Sequence, residues 1–159
     1  MSAPTTAAVE RWVEAPIKQF VDDARVLLAL LLYPSGQVIA QHGFARAVDV
    51  MSACALAAAI NASSTELGKQ LEGKPFRGLH HAGRARQIYL ADVSTSRGSL
   101  IFLTVFDSDS SLGLVQLYFG EFQQRLAAAA PAPAPDARVL PQNFEGELNR
   151  NLAQLFGRI

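Results

Sequence analysis

The stretch SLIFLTVFDSDSSLGLVQLYF, residues 99–119, decides the fold. Leu100 to Phe106 is apolar except for Thr104 and rich in β-branched and aromatic residues, the pattern of a buried strand central in its sheet. The polar cluster Asp107 to Ser111 ends that strand. Beyond it the apolar period becomes helical. Leu112, Val115, Phe119, Phe122 and Leu126 recur every three or four residues, the stripe of a helix resting on a sheet. Ser110 or Ser111 is placed to cap this helix, and Asp107 and Asp109 lie where its positive end favours anions. A glycine such as Gly113 in the first turn costs about 1 kcal/mol relative to Ala, which points to close backbone approach there.

Upstream of this hub, Val9, Trp12, Val13, Ile17, Phe20, Val21 and Ala24 form a helical stripe interrupted by Pro16. Proline is tolerated only in a first helical turn, so a firm helix is expected from about Ala15 to Ala24, after a flexible segment 1–14. Arg25 to Leu32 reads as a buried strand, Pro34-Ser35-Gly36 as a turn, and Gln37 to Gln41 as the returning strand of a hairpin. Asp49 opens a long helix that Gly73 and Pro75 stop after Glu72. Its apolar residues fall into two sets. Leu56, Ile60, Leu67 and Leu71 share one side and are expected to cover the sheet, while Met51, Ala55, Ala58 and Ala62 lie almost opposite. The Ala-rich side reads either as plain helix propensity or as a smooth surface for another protein.

Phe76 to Ala82 and Gln87 to Ser94 supply two more strands, and Ser96 to Gly98 turns the second into the hub strand. The expected architecture is an α/β (α+β) sandwich in the order α-β-β-α-β-β-β-α, with five mainly antiparallel strands. The domain spans 15–129, followed by an Ala/Pro-rich spacer at 130–142 and a tethered amphipathic helix at 143–159. Phe144, Leu148, Leu152, Leu155 and Phe156 share one face of that last helix, which is too short to stand alone in water and is expected to bind a partner.

Composition narrows the function. Half of the 159 residues are apolar, 18% are charged and the formal net charge is zero. A globular protein follows, with neither nucleic acid nor an anionic membrane as its main partner. Apolar runs fall short of the ~20 residues of a membrane helix, and the N-terminus lacks signal-peptide order, so membrane insertion is not expected and a cytoplasmic location is. The single Cys54 excludes an internal disulfide and a multi-cysteine zinc site. His42, His80 and His81 have no accompanying carboxylate or thiol pattern, so no metal is expected. Asp107 to Ser111 begins like a calcium loop, but Leu112 and Tyr118 stand where Gly and Glu belong. Gly68-Lys69 is not a phosphate loop, because Ser63 replaces the first glycine. No cofactor and no catalytic residue of the chain's own are expected. Arg84, Arg86 and Arg97 lie in predicted loops, where exposed arginines are ordinary, although one could serve as a finger on a partner GTPase.

Val105-Phe106-Asp107 followed by Ser110-Ser111-Leu112-Gly113-Leu114-Val115-Gln116-Leu117 resembles the strand-to-helix hub of the roadblock/dynein-light-chain family. Within it the chain is similar to bacterial MglB-type regulators of Ras-like gliding and polarity GTPases. Gly36-Gln37-Val38-Ile39, Leu67-Gly68-Lys69-Gln70-Leu71, Gln87-Ile88-Tyr89-Leu90 and the tail from Phe144 to Gly157 add to the resemblance; Tyr33-Pro34 departs from it at the first hairpin turn. The resemblance implies a homodimer formed through the long second helix and an adjacent sheet edge. It implies a small Ras-like GTPase lying against Ala55, Ala58, Ala59 and Ala62, with Met51 on the same face. Such regulators supply no catalytic residue, and the resemblance admits work at a cell pole. Activation of hydrolysis, promotion of exchange and pure scaffolding as an adaptor all remain open at this point.

Overall fold

The computed structural model describes residues 4–44, 49–131 and 150. Its elements are β1 (Thr5–Ala8), α1 (Glu14–Ala24), β2 (Leu28–Leu32), β3 (Val38–Gly43), α2 (Val50–Glu72), β4 (Leu79–Ala82), β5 (Gln87–Thr95), β6 (Gly98–Phe106) and α3 (Leu112–Ala129). The strands form one sheet in the order β1-β3-β2-β6-β5-β4, and every neighbouring pair is antiparallel. The five expected strands and three domain helices are present. The spacer beyond Pro131 and the stripe Phe144, Leu148, Leu152, Leu155 and Phe156 lie outside the described residues.

β6 is the central strand, as the hub pattern requires. It pairs with β2 from Leu28↔Val105 to Leu32↔Ile101 and with β5 from Gln87↔Phe106 to Thr95↔Gly98. Its alternate side chains enter two different cores. Leu100, Phe102 and Phe106 join the core beneath α1 and α3, while Ile101 and Leu103 join a second core beneath α2. Thr104, the one polar residue of the run, is fully buried, and its hydroxyl donates to the Leu28 carbonyl at 2.8 Å. A buried hydroxyl with its partner supplied costs little.

The first core is aromatic. Phe102 packs edge-on to Phe20 at 4.8 Å and against Phe122 and Phe119 at 4.9 and 5.1 Å. Val115, Phe119, Phe122 and Leu126 are buried on the α3 stripe, Leu112 is partly so, and Ser111 is the cap, accepting from the Leu114 amide at 3.2 Å. Ser110 has a different task, donating to the Ala24 carbonyl at the end of α1. Gly113 is not a point of close approach, since a Cβ there would meet only the Ser111 hydroxyl at 3.9 Å. Gly43 is a glycine that the fold does require. It has φ +124, and a Cβ on it would lie 2.2 Å from the Leu27 carbonyl oxygen.

The segment expected to be flexible, 1–14, is largely structured where it is described. Thr5–Ala8 forms β1, paired with β3 from Thr5↔Gly43 to Ala8↔Ala40, and a 3-10 turn over Arg11–Val13 buries Val13 completely. Backbone pairing and the side chain of His42 hold β1. The Thr6 hydroxyl is hydrogen-bonded to Nδ1 of His42, a residue only 3% exposed. Short polar edge strands carry little hydrophobic signal, which is why the periodicity passes over this one. The α1 terminus also moves the next strand. Arg25 adopts a left-handed conformation and caps α1, so β2 begins at Leu28 rather than Arg25.

Burial holds the His42 imidazole below its ordinary value of 6.5, with Asp22 opposing and Lys18 adding to the shift. The unfolded chain therefore takes up a proton at a higher pH than the folded one. Stability from this group is complete above 6.5 and is lost as pH falls through the depressed folded value. The urea midpoint is expected to fall between about pH 7 and about pH 5.5, and His42→Gln should flatten that dependence.

Candidate functional site

α2 is the longest helix and the one element covering its face of the sheet among the described residues. Both ends are fixed locally. Asp49 is the N-cap, its carboxylate accepting from the Ser52 amide at 3.2 Å and the Ser52 hydroxyl at 2.8 Å, and these bonds hold the carboxyl below its usual value. Gly73 ends the helix in the left-handed region, with its amide donating to the Lys69 carbonyl at 3.0 Å. Midway, Asn61 Nδ2 donates to Asp92 Oδ1 of β5 at 3.0 Å, clamping helix to sheet.

The side of α2 that meets the sheet is a line of small residues. Cys54, Ala57 and Gly68 are buried, and Val50, Ala58 and Ile60 pack partly against the second core. Small side chains let the helix sit close. Burial raises the Cys54 thiol, making it a small apolar filler rather than a nucleophile. At Gly68 the approach is closest, since a Cβ would lie 2.6 Å from the Phe76 amide nitrogen of the α2–β4 connection.

This arrangement corrects the sequence reading of α2. Leu56, Leu67 and Leu71 do not cover the sheet; they are 64%, 51% and 68% exposed. Only Ile60 of that set is half-buried. Of the opposite set, Met51 is 82% exposed, and Ala55, Ala59 and Ala62 are exposed, whereas Ala58 is half-buried against the second core. Two apolar flanks thus border the small-residue line, both open to solvent in the described chain. The 3-4-7 spacing of Cys54, Ala57, Asn61 and Gly68 is the signal that marks the sheet side, but larger residues nearby outweigh it in any hydrophobic periodicity.

The other singled-out residues are dispersed. His80 shares a hydrogen bond with Gln87 at 2.7 Å and stacks on Phe106, while His42 lies across the sheet with Thr6. Among the described residues no three potential metal ligands come together. Arg84 and Arg86 are exposed in the β4–β5 turn and Arg97 in the β5–β6 turn. No helix among the described residues is long and apolar enough to cross a membrane.

If close contact between α2 and the sheet depends on small side chains, enlarging one should cost stability. Ala57→Leu is expected to lose about 1–3 kcal/mol in urea unfolding, whereas Ala55→Leu on the exposed flank should change it by less than about 0.5 kcal/mol.

No protein-family model and no curated protein matches the sequence. Solved structures do. Myxococcus xanthus MglB superposes with a TM-score of 0.68 and 26% identity, over 76% of this chain and 95% of that one. An MglB described as having a tetrameric arrangement gives 0.64 and 22%, over 81% and 97%. A Roadblock/LC7 domain from Streptomyces avermitilis gives 0.58 and 15%, over 69% and 90%. The exposed helix, the antiparallel sheet and the strand-to-helix hub are therefore those of a roadblock-like fold of the MglB type.

Proposed function

We propose that this chain is a homodimeric regulator of a small Ras-like GTPase in bacterial motility or polarity, with no active site of its own. The observation that carries the reading is the pair of exposed apolar flanks on α2, set on a fold of the MglB type. Monomeric proteins seldom leave Met51, Leu56, Leu67 and Leu71 open along a single helix.

The two flanks suit two tasks. Leu56, Ile60, Leu67 and Leu71 are bulky, and the sheet ends at a short edge strand, β4, whose outer backbone groups have no strand partner among the described residues. That combination fits pairing of two protomers, helix to helix and edge to edge, and the tetrameric arrangement of one MglB is in keeping with self-association in this fold. Met51, Ala55, Ala59 and Ala62 form the flatter flank, which admits a partner backbone at short range. Ala58 contributes from beneath, as support for the helix. With no catalytic set to donate, the regulator acts by binding one conformation of the GTPase more tightly than another.

In the cytoplasm such a protein works wherever its GTPase is, a cell pole included. An adaptor would use the same surfaces and leave nucleotide turnover unchanged, and this difference separates the two readings. The deciding measurement is GTP hydrolysis and nucleotide exchange by the cognate GTPase with and without the full chain. A changed rate supports regulation; binding with both rates unchanged assigns the adaptor role.

Light scattering is expected to give twice the 17.1 kDa chain mass, and Leu67→Asp with Leu71→Asp should return it to the monomer value. Ala59→Arg with Ala62→Arg should leave the dimer intact and weaken GTPase binding by at least about tenfold, read by titration calorimetry. Undiminished affinity would remove the Ala flank from the interface.

A further inference from the structure

The edge strand β4 reads Leu79-His80-His81-Ala82, with two adjacent histidines at its middle. Both are exposed, and among the described residues β4 has a strand partner on its β5 side alone. Alternation along a strand sends the two imidazoles to opposite faces of the sheet. His80 stacks on Phe106 of the first core at 6.1 Å and shares a hydrogen bond with Gln87 Oε1 at 2.7 Å, so it lies on the α1/α3 side. Leu79 packs against the second core, so His81, two residues further on, lies on the α2 side.

Symmetry limits how two copies of this strand can meet. A dimer that pairs α2 with α2 and edge with edge keeps both helices on one face of a joined sheet. Its two-fold axis then runs perpendicular to the sheet, and the paired edges are antiparallel. Such an axis turns no side chain to the opposite face, so one residue of the strand must stand directly opposite its own copy. Centred on Leu79 or Ala82, the pairing would run off the end of this four-residue strand. Centred on His80, it sets His80 against the second copy's His80 and Leu79 against its His81. Centred on His81, it sets His81 against itself and His80 against the second copy's Ala82. Either register brings one pair of identical histidines face to face, about 4.5–5.5 Å apart at Cβ, and leaves the other pair as diagonal neighbours.

The strand's own surroundings are basic. Across the ladder β5 presents Gln87, Ile88, Tyr89 and Leu90, none of them acidic. From Gly73 to Ala91 the charged side chains are Lys74, Arg77, Arg84 and Arg86. Of the helices on the two faces, α2 carries Glu66, Lys69 and Glu72, and α3 carries Glu121 and Arg125, which are paired with each other at 3.4 Å. Histidine changes charge between about pH 8 and pH 5. A neutral imidazole has one donor and one acceptor nitrogen, so two of them facing each other can share a hydrogen bond. Two imidazolium rings have only donors, and like charges directly opposite on paired strands are destabilising.

We propose that two copies of this chain join their sheets through β4 with a histidine facing its own copy on the two-fold axis, and that protonation of His80 and His81 opens the dimer. This rests on the homodimer reading above and adds to it the register of the interface and its regulation. The neutral pair shares a hydrogen bond across the axis. Taking up protons converts that contact into repulsion between cations, on an edge where Lys74, Arg77, Arg84 and Arg86 already repel their copies. The separated chain thus binds protons more readily than the dimer. Association is complete where histidine is neutral and is lost as pH falls.

Two measurements on the full chain test this. In the first, His80→Cys and His81→Cys are made singly and oxidised with glutathione disulfide at pH 8. The position on the axis should form an intermolecular disulfide, since facing residues lie within bridging distance, and the other should lag by about tenfold or more. The wild-type chain, whose Cys54 is buried, is the blank. In the second, sedimentation equilibrium gives the dimer dissociation constant at pH 8 and pH 5.5. It should rise by about tenfold or more at the lower pH in the wild type, and by less than about threefold in His80→Gln with His81→Gln. His42 stays in that variant, so any pH dependence it retains belongs to the fold and not to the edge. Melting temperatures at pH 8 check that the four exposed-site substitutions leave the fold intact. A wild-type monomer at both pH values would overturn the homodimer reading itself. A dimer at pH 8 that neither cysteine cross-links, or whose pH dependence survives in the double glutamine variant, would overturn the proposal and leave that reading standing.

Discussion

Burial of β6 on both faces is the constraint on which the rest of the structure depends. A strand with water on neither side must find a layer above and a layer below, and its register must deliver the right residues to each. Phe102 and Phe106 go to the α1/α3 side and Ile101 and Leu103 to the α2 side. A slip of one residue would exchange the two sets, driving phenylalanines against a helix whose buried residues are Cys54, Ala57 and Gly68. The two cores are therefore not interchangeable, and their difference in size is what fixes the register.

That difference also shapes the surface. Six aromatic residues, Phe20, Tyr89, Phe102, Phe106, Phe119 and Phe122, fill the first core, and two helices cover it. The second core contains no aromatic residue and lies beneath a single helix held close by small side chains. One helix cannot shelter its own flanks as well as the sheet. Its large residues, Leu56, Leu67 and Leu71, are left at the margin, where a neighbouring surface could cover them. Exposure on α2 is thus a consequence of how the thin core is built.

The central strand and α3 were legible in the sequence because each has one dominant period and because its large residues are the buried ones. Asp49, Gly73 and Ser111 were legible as helix ends because capping chemistry is local. The sheet-facing side of α2 was not. Periodicity weighs residues by hydrophobicity, and here close approach selected small ones, so the pattern pointed to Leu56 and Leu67 instead of Cys54 and Ala57. β1 is hidden from the sequence because its pairing to β3 is long-range, and the Thr6–His42 bond joins residues 36 positions apart.

Regulation without a catalytic group demands more rigidity than binding alone. A protein that shifts another's conformational equilibrium can do so only by its difference in affinity for the two states. A compliant surface adapts to both states and discriminates neither. On the proposed reading, the value of the fold lies in how firmly α2 is held. Asp49 ties down its first turn, Gly73 closes its last, Asn61 is bonded to Asp92 in its middle, and Gly68 locks against the α2–β4 connection. The two caps keep the end turns of the helix from fraying, while the Asn61–Asp92 bond and the close approach at Gly68 oppose its rolling or sliding over the sheet. The polar and backbone contacts along α2 therefore supply the positional precision that the aromatic core supplies on the opposite face.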